Sequence, residues 1–226
     1  INRILTDHCS AILFAPTKSG VENLKNEGIT RNVYNVGDVM YDALLKNIVI
    51  AETKSKLISD FGGKEFSYLT VHRPSNTDDK KSLEKIVEAI TSLDSKIIFS
   101  LHPRTKEKLQ TYEFLNKLEN SENIIIKKPL TYLDSIYLIK NANIVLTDSG
   151  GIQKEAYILG TPCITLREDT EWLETVADGW NVLVGNDTEK IITAASQFKI
   201  PKLRNDYYGD GNASKEISQI IWKYLN

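Results

Sequence analysis

The sequence predicts a parallel, doubly wound α/β sheet. Short apolar runs rich in β-branched residues recur along the chain. Between them lie stretches whose apolar residues fall at helical spacing. Glycine, proline or a charged residue marks most of the changeovers. From residue 67 onward six such runs alternate with helices, which gives parallel strands joined by right-handed crossovers.

The elements follow in order. Residues 1–8 form a polar, helix-like stretch. Residues 11–15 read as a buried strand, and Pro16 and Thr17 turn it into a helix over 19–27 that Gly28 ends. Residues 33–36 form a second strand, stopped by Gly37 and Asp38. This strand–helix–strand unit is too small to enclose a core of its own. A helix is predicted over 38–59, with Met40, Ala43, Leu44, Ile48 and Ala51 at near-helical spacing. Strands are then expected at 67–71, 96–101, 123–126, 144–147, 162–166 and 181–184. Helices are expected at 80–93, 105–118, 132–140, 152–159, 171–177 and 187–198, with a final one at 212–225. The acidic run 168–174 could hold a cation, but reads rather as the first turns of the 171–177 helix, placing negative charge near its positive end.

Composition excludes several classes. Of the 226 residues 41% are hydrophobic and 26% charged, the balance of a soluble globular protein. A net charge of −2 carries no footprint for nucleic acid or an acidic membrane. No apolar run reaches transmembrane length, so the expected compartment is the cytoplasm. Cys9 and Cys163 are far apart, Cys163 reads as a buried free thiol, and no Cys/His cluster has zinc spacing. The dinucleotide glycine fingerprint, the P-loop, the zinc-protease helix and the nucleophile elbow are all absent. The chain opens at Ile1, its single Met is Met40, and the start reads as a cut.

Chemistry is expected at the carboxyl ends of the strands. The stretch Leu146–Ala156, closed by Gly160, is the most informative. Asp148, Ser149, Gly150 and Gly151 form a tight strand-to-helix turn with Ser149 as N-cap. The two glycines leave backbone N–H groups uncovered at the positive end of a helix, a site suited to phosphate. Glu155, about 6 Å further along the same helix face, could accept hydrogen bonds from ribose hydroxyls. An ordinary capped helix with a solvated Glu remains the alternative. Three other strand ends carry cations: His72 and Arg73, His102 and Arg104, and Arg167 beside Glu168. Their convergence favours an anionic ligand. A functional role is expected for His72, which Arg73 follows and Pro74 stiffens. Structural roles are expected for His8 and His102.

Several motifs together resemble a known family. They are Val71–Asn76, Leu146–Ala156, Gly160–Pro162, Leu166–Trp172, Leu183–Gly185 and Asp206–Ala213. In order and spacing they resemble the non-hydrolysing UDP-N-acetylglucosamine 2-epimerases. The resemblance implies a glycosyltransferase-B-like fold of two Rossmann-like domains, of which this chain holds the second half and a remnant of the first. Residues 1–36 would be that remnant, 37–205 the UDP-binding domain, and 206–226 a helix crossing back to the first domain. The implied enzyme is an isomerase of polysaccharide biosynthesis that interconverts UDP-GlcNAc and UDP-ManNAc without metal or cofactor. It eliminates UDP to give 2-acetamidoglucal and then adds UDP back. The implied partners are UDP-GlcNAc, UDP-ManNAc and UDP, with no nucleic acid or membrane, and the intact protein would be a homodimer. His72 would be catalytic. Arg73, Ser149, Gly150 and Gly151 would hold the diphosphate, Glu155 the ribose, and Leu130, Tyr132 and Ser135 the uracil, with Arg167 toward phosphate or sugar. The family's usual Glu after the His-Arg pair is Ser75 here, and its catalytic acids lie in the first domain, ahead of Ile1. A non-catalytic UDP-sugar-binding module and a glycosyltransferase are the alternatives.

Overall fold

A computed structural model describes residues 1–55 and 65–226. They form two compact units, 1–49 with 205–226, and 50–204. The predicted helix 38–59 is seen as α3 below, and its final residues, 56–59, lie outside the described ones.

In the first unit α1 (Asn2–Cys9) precedes β1 (Leu13–Ala15), α2 (Lys18–Asn26) and β2 (Val33–Asn35). The two strands pair in parallel, with Leu13 opposite Val33, over a small core of Leu13, Ala15 and Leu24. Thr17 caps α2 by accepting from the Gly20 N–H at 3.2 Å. The helix α3 (Val39–Lys54) begins in this unit and ends in the next. Asp42 on α3 is buried and accepts from the N–H groups of Ala213 and Ser214 at 3.1 and 2.7 Å. It thereby caps the C-terminal helix, Ala213–Leu225, whose own N-cap Asn212 makes no side-chain cap.

The second unit is a six-stranded parallel sheet. Its strands are β3 (Phe66–Thr70), β4 (Lys96–Ser100), β5 (Ile124–Lys127), β6 (Ile144–Thr147), β7 (Cys163–Thr165) and β8 (Asn181–Leu183), in the order β5-β4-β3-β6-β7-β8. The chain winds outward from β3 to β5, then returns to place β6 on the other side of β3. The crevice between β3 and β6 is therefore the topological switch point, where ligands bind in such sheets. Both strands are buried throughout, and alternate residues feed opposite faces. Leu69, Val71, Ile144 and Leu146 enter one core, Phe66, Tyr68 and Val145 the other. Cys163 is a buried thiol that burial pushes up to about 12.

The helices of this unit are α4 (Pro74–Thr77), α5 (Lys80–Thr91), α6 (Pro103–Thr111), α7 (Leu115–Glu119), α8 (Tyr132–Asn141), α9 (Gly150–Leu159), α10 (Leu173–Ala177) and α11 (Thr188–Gln197). The single helix expected over 105–118 is two. Glu113 adopts φ 65°, and the N–H groups of Phe114 and Glu113 bond back to the carbonyls of Leu109 and Gln110. That is a Schellman stop with Glu where glycine is usual, so no sequence signal marks it. Gly160, at φ 75°, ends α9 in the same manner through Thr161 N–H to Ala156 C=O. The helix expected from 171 starts at Leu173.

Candidate functional site

Thr70 and Thr147 are the last paired residues of β3 and β6, and their hydroxyls bond at 2.8 Å. This register brings the loop that starts at Val71 alongside the loop that starts at Asp148. Asp148 is 0% exposed. Its carboxylate accepts from the backbone N–H groups of His72 and Arg73 and from Asn76 Nδ2, at 2.9 to 3.1 Å. Burial pushes the Asp148 carboxyl up, but the His72 ring and these N–H donors outweigh it and hold it below the usual range.

Ser149 occupies the N-cap position of α9 but makes no side-chain capping bond, unlike the sequence expectation; its own N–H donates to Thr147 Oγ1 at 3.0 Å. The first bond back to the cap runs from Gln153 N–H to Ser149 C=O. The N–H groups of Gly150, Gly151 and Ile152 therefore precede the helix's own ladder and aim out of its positive end. A Cβ at Gly151 would meet only Ser149 Oγ, at 3.9 Å, so this turn is open to close approach.

One helical turn further on, Glu155 is buried, and burial raises its carboxyl to about 7. Tyr132, which opens α8, is pushed up to about 12 by its burial and by Glu155. Tyr68 Oη bonds Ser135 Oγ at 3.0 Å, and its phenol is also raised, by burial. Leu130 packs against the core containing Tyr68 and Ala156. Tyr132 and Tyr68 thus both feel the Glu155 charge, Ser135 is bonded to Tyr68, and Leu130 packs on the same core. A neighbouring contact sets Lys154 Nζ 4.3 Å from the Trp172 ring centre.

The loop after β7 brings a second cation. Arg167 is 9% exposed, with Nη1 2.8 Å from Glu171 Oε2 and Nη2 2.8 Å from Asp169 Oδ1. Glu171 Oε1 lies 3.6 Å from Arg73 Nη2 and would collide with a Cβ at Gly150. A single carboxylate therefore sits between two arginines and the first turn of α9. Burial alone would raise Glu171, but Arg167 and Arg73 hold it below its ordinary value. Of the acidic run only Leu173 and Glu174 enter the helix; residues 168–172 form a loop ahead of it. Thr170 donates to the buried Gln153 Oε1 at 2.6 Å and accepts from Trp172 N–H, which pins the loop to α9. Beside it a cavity of about 370 Å³ is lined by Arg73, Ser75, Asn76, Arg167, Glu168 and Asp169.

Three of the four strand-end loops meet here. The fourth does not: Arg104 turns away to Asp78 and Thr77, and His102 Nδ1 accepts from Arg104 N–H to cap α6. The His102 ring still lies 5.5 Å from that of His72. A larger groove, about 690 Å³, runs beside β8 and α11 and is lined by Val182, Leu183, Val184 and Phe198, but it contains none of these candidate residues. Among the described residues no group of three His, Cys, Asp or Glu side chains could hold a metal ion. Sequence reasoning missed the parts played by Asp148, Asn76, Glu171 and Tyr68, whose partners are remote in the chain or across a loop.

A family model described as UDP-N-acetylglucosamine 2-epimerase matches residues 1–222. A UDP-N-acetylglucosamine 2-epimerase homolog of Methanococcus maripaludis is 48% identical over 225 residues, covering 98% of this chain and 63% of the relative. The UDP-N-acetylglucosamine 2-epimerase of Methanocaldococcus jannaschii is 44% identical over 232 residues, again covering 98% and 63%. The crystal structure of the latter organism's UDP-GlcNAc 2-epimerase, in complex with UDP-GlcNAc and UDP, superposes with a TM-score of 0.88 over 98% of this chain and 64% of that one. The chain thus spans somewhat less than two thirds of the length of these relatives. With a family match over nearly every residue and the same glycosyltransferase-B-like half-fold, the chain belongs to the UDP-N-acetylglucosamine 2-epimerase family.

Proposed function

We propose that this chain is the nucleotide-holding part of a UDP-GlcNAc 2-epimerase that interconverts UDP-GlcNAc and UDP-ManNAc. One observation carries the reading. At the switch point an uncapped, glycine-opened helix end stands one turn from a buried carboxylate, with two arginines beside it. That is the spacing of a diphosphate joined to a ribose.

In this reading the N–H groups of the Ser149–Gly151 turn and the Arg73 and Arg167 guanidiniums hold the diphosphate. His72 lies where it can reach phosphate or sugar. Glu155 accepts from the ribose hydroxyls, which offsets part of the cost of burying its charge. Uracil lies against Leu130, Tyr132 and Ser135. The reaction asks most of the diphosphate cradle, since UDP has to remain held between leaving and returning. A cytoplasmic homodimer is the state the family resemblance supports for the whole protein.

Calorimetric titration of the chain tests the reading. UDP should bind measurably and uridine much more weakly. Equal affinity for the two, or no binding of UDP, would remove the diphosphate assignment.

A further inference from the structure

We infer that Asp148 is a positioning residue for His72, fixing which ring nitrogen faces the ligand. The inference rests on the UDP reading above. Asp148 Oδ1 lies 3.2 Å from His72 Nδ1, and the same carboxylate accepts the backbone N–H of His72 through both oxygens, at 3.1 and 3.0 Å. The backbone bonds set the position of the residue, and the ring contact sets its rotamer. Oδ2 is further occupied by Arg73 N–H and Asn76 Nδ2, and Asn76 also donates to Leu166 C=O at 2.9 Å. The carboxylate therefore cannot turn away from the ring without stranding several buried donors.

An ionised carboxylate only accepts hydrogen bonds, so Nδ1 must carry the hydrogen. The neutral imidazole is then the Nδ1–H tautomer, and Nε2 alone is left for the half-exposed side of the ring. There it accepts a hydrogen bond when neutral and donates to a phosphate oxygen when protonated. In both states the Nδ1 proton stays on the ring and faces the Asp148 carboxylate. Among the described residues, the titratable groups seen against the ring from other elements are Asp148 and His102, with Arg73 its chain neighbour.

The test uses the chain with ¹⁵N-labelled histidine and long-range ¹H–¹⁵N spectra, His72 being assigned by its loss in His72→Gln. In the ligand-free wild type at pH 8, Nδ1 should show the protonated, pyrrole-type shift and Nε2 the bare, pyridine-type shift. Asp148→Asn should reverse them. The Asn oxygen would take the backbone and Asn76 donors, leaving its NH₂ to face Nδ1. Added UDP should move the Nε2 signal far more than Nδ1. A wild-type spectrum with Nε2 protonated and Nδ1 bare overturns the proposal, and needs no variant to fold. UDP that binds by calorimetry without moving Nε2 overturns it too, leaving the UDP reading in place. Absence of binding overturns the UDP reading itself.

Discussion

Glu171 Oε2 lies 2.8 Å from Arg167 Nη1, while the other oxygen of the same carboxylate reaches toward Arg73 and the Gly150 turn. Both arginines are thus already paired with an anion from the loop after β7. In the proposed function a diphosphate takes those cations over. With Glu171 46% exposed, the competing pair is worth little, and replacing it by the uncharged Gln should tighten UDP binding about threefold to tenfold, ~0.6–1.4 kcal/mol. Calorimetry at low salt measures this. Weaker binding in Glu171→Gln would mean instead that the carboxylate holds the arginines in place for the ligand.

Gly151 separates folding from binding. A methyl group there meets only Ser149 Oγ at 3.9 Å, and alanine favours the helix by up to ~1 kcal/mol. Gly151→Ala should therefore melt no lower than the wild type. The same methyl group stands over the N–H groups that a phosphate would approach, and UDP affinity should fall by about tenfold or more, as expected for one lost charge-assisted contact. Unchanged affinity would place the phosphate elsewhere.

Glu155 should be read out by the sugar of the nucleotide. If it accepts from ribose hydroxyls, the wild type should prefer UDP to 2′-deoxy-UDP, and Glu155→Ala should bind both alike. The loss for UDP should be on the order of 1.5–3 kcal/mol, the worth of a hydrogen bond to a charged group. A preference that survives the substitution would remove Glu155 from the ribose site.

The same residue gives a pH signature in stability. Burial raises the folded-state Glu155 carboxyl from its ordinary 4.5 to about 7. Between those values the native state binds more protons than the unfolded one, so this group's contribution falls as pH rises through the window. Relative to the wild type, Glu155→Gln should be near neutral at pH 4.5 and more stable at pH 8, by up to about 3 kcal/mol. The difference between the two melting profiles cancels the opposite trend from Asp148 and Asp42, whose depressed carboxyls lose stability as pH falls. A flat difference would show that Glu155 is charged in both states.

Much of this was legible along the chain because it is local. β-branched runs such as 144–147, the glycine pair at 150–151 and the stop at Gly160 each declare themselves within a few residues. What was not legible is set by partners distant in sequence. Asp148 gains its meaning from donors at 72, 73 and 76, across the β3–β6 pairing. Ser149 looked like a capping side chain, but Thr147 Oγ1 takes its N–H and no bond from its own hydroxyl caps the helix. Glu171 looked helical, but Thr170 bonded to Gln153 keeps the chain in a loop until Leu173. Arg104 looked like a ligand cation until Asp78, itself in a turn, claimed it.

The insertion of β6 beside β3 also bears on how the protein is made. As the chain emerges from a ribosome, β3 can pair with β4, and β4 with β5, as soon as each appears. The other edge of β3 has no partner until residues 144–147 have been synthesised, so a strand that ends fully buried waits with its backbone open for the length of three helical crossovers. The nascent chain is most exposed to mispairing in that interval. Residues 72 and 148 come together only when it ends, so any nucleotide captured by this half would report that the sheet has closed in its final order.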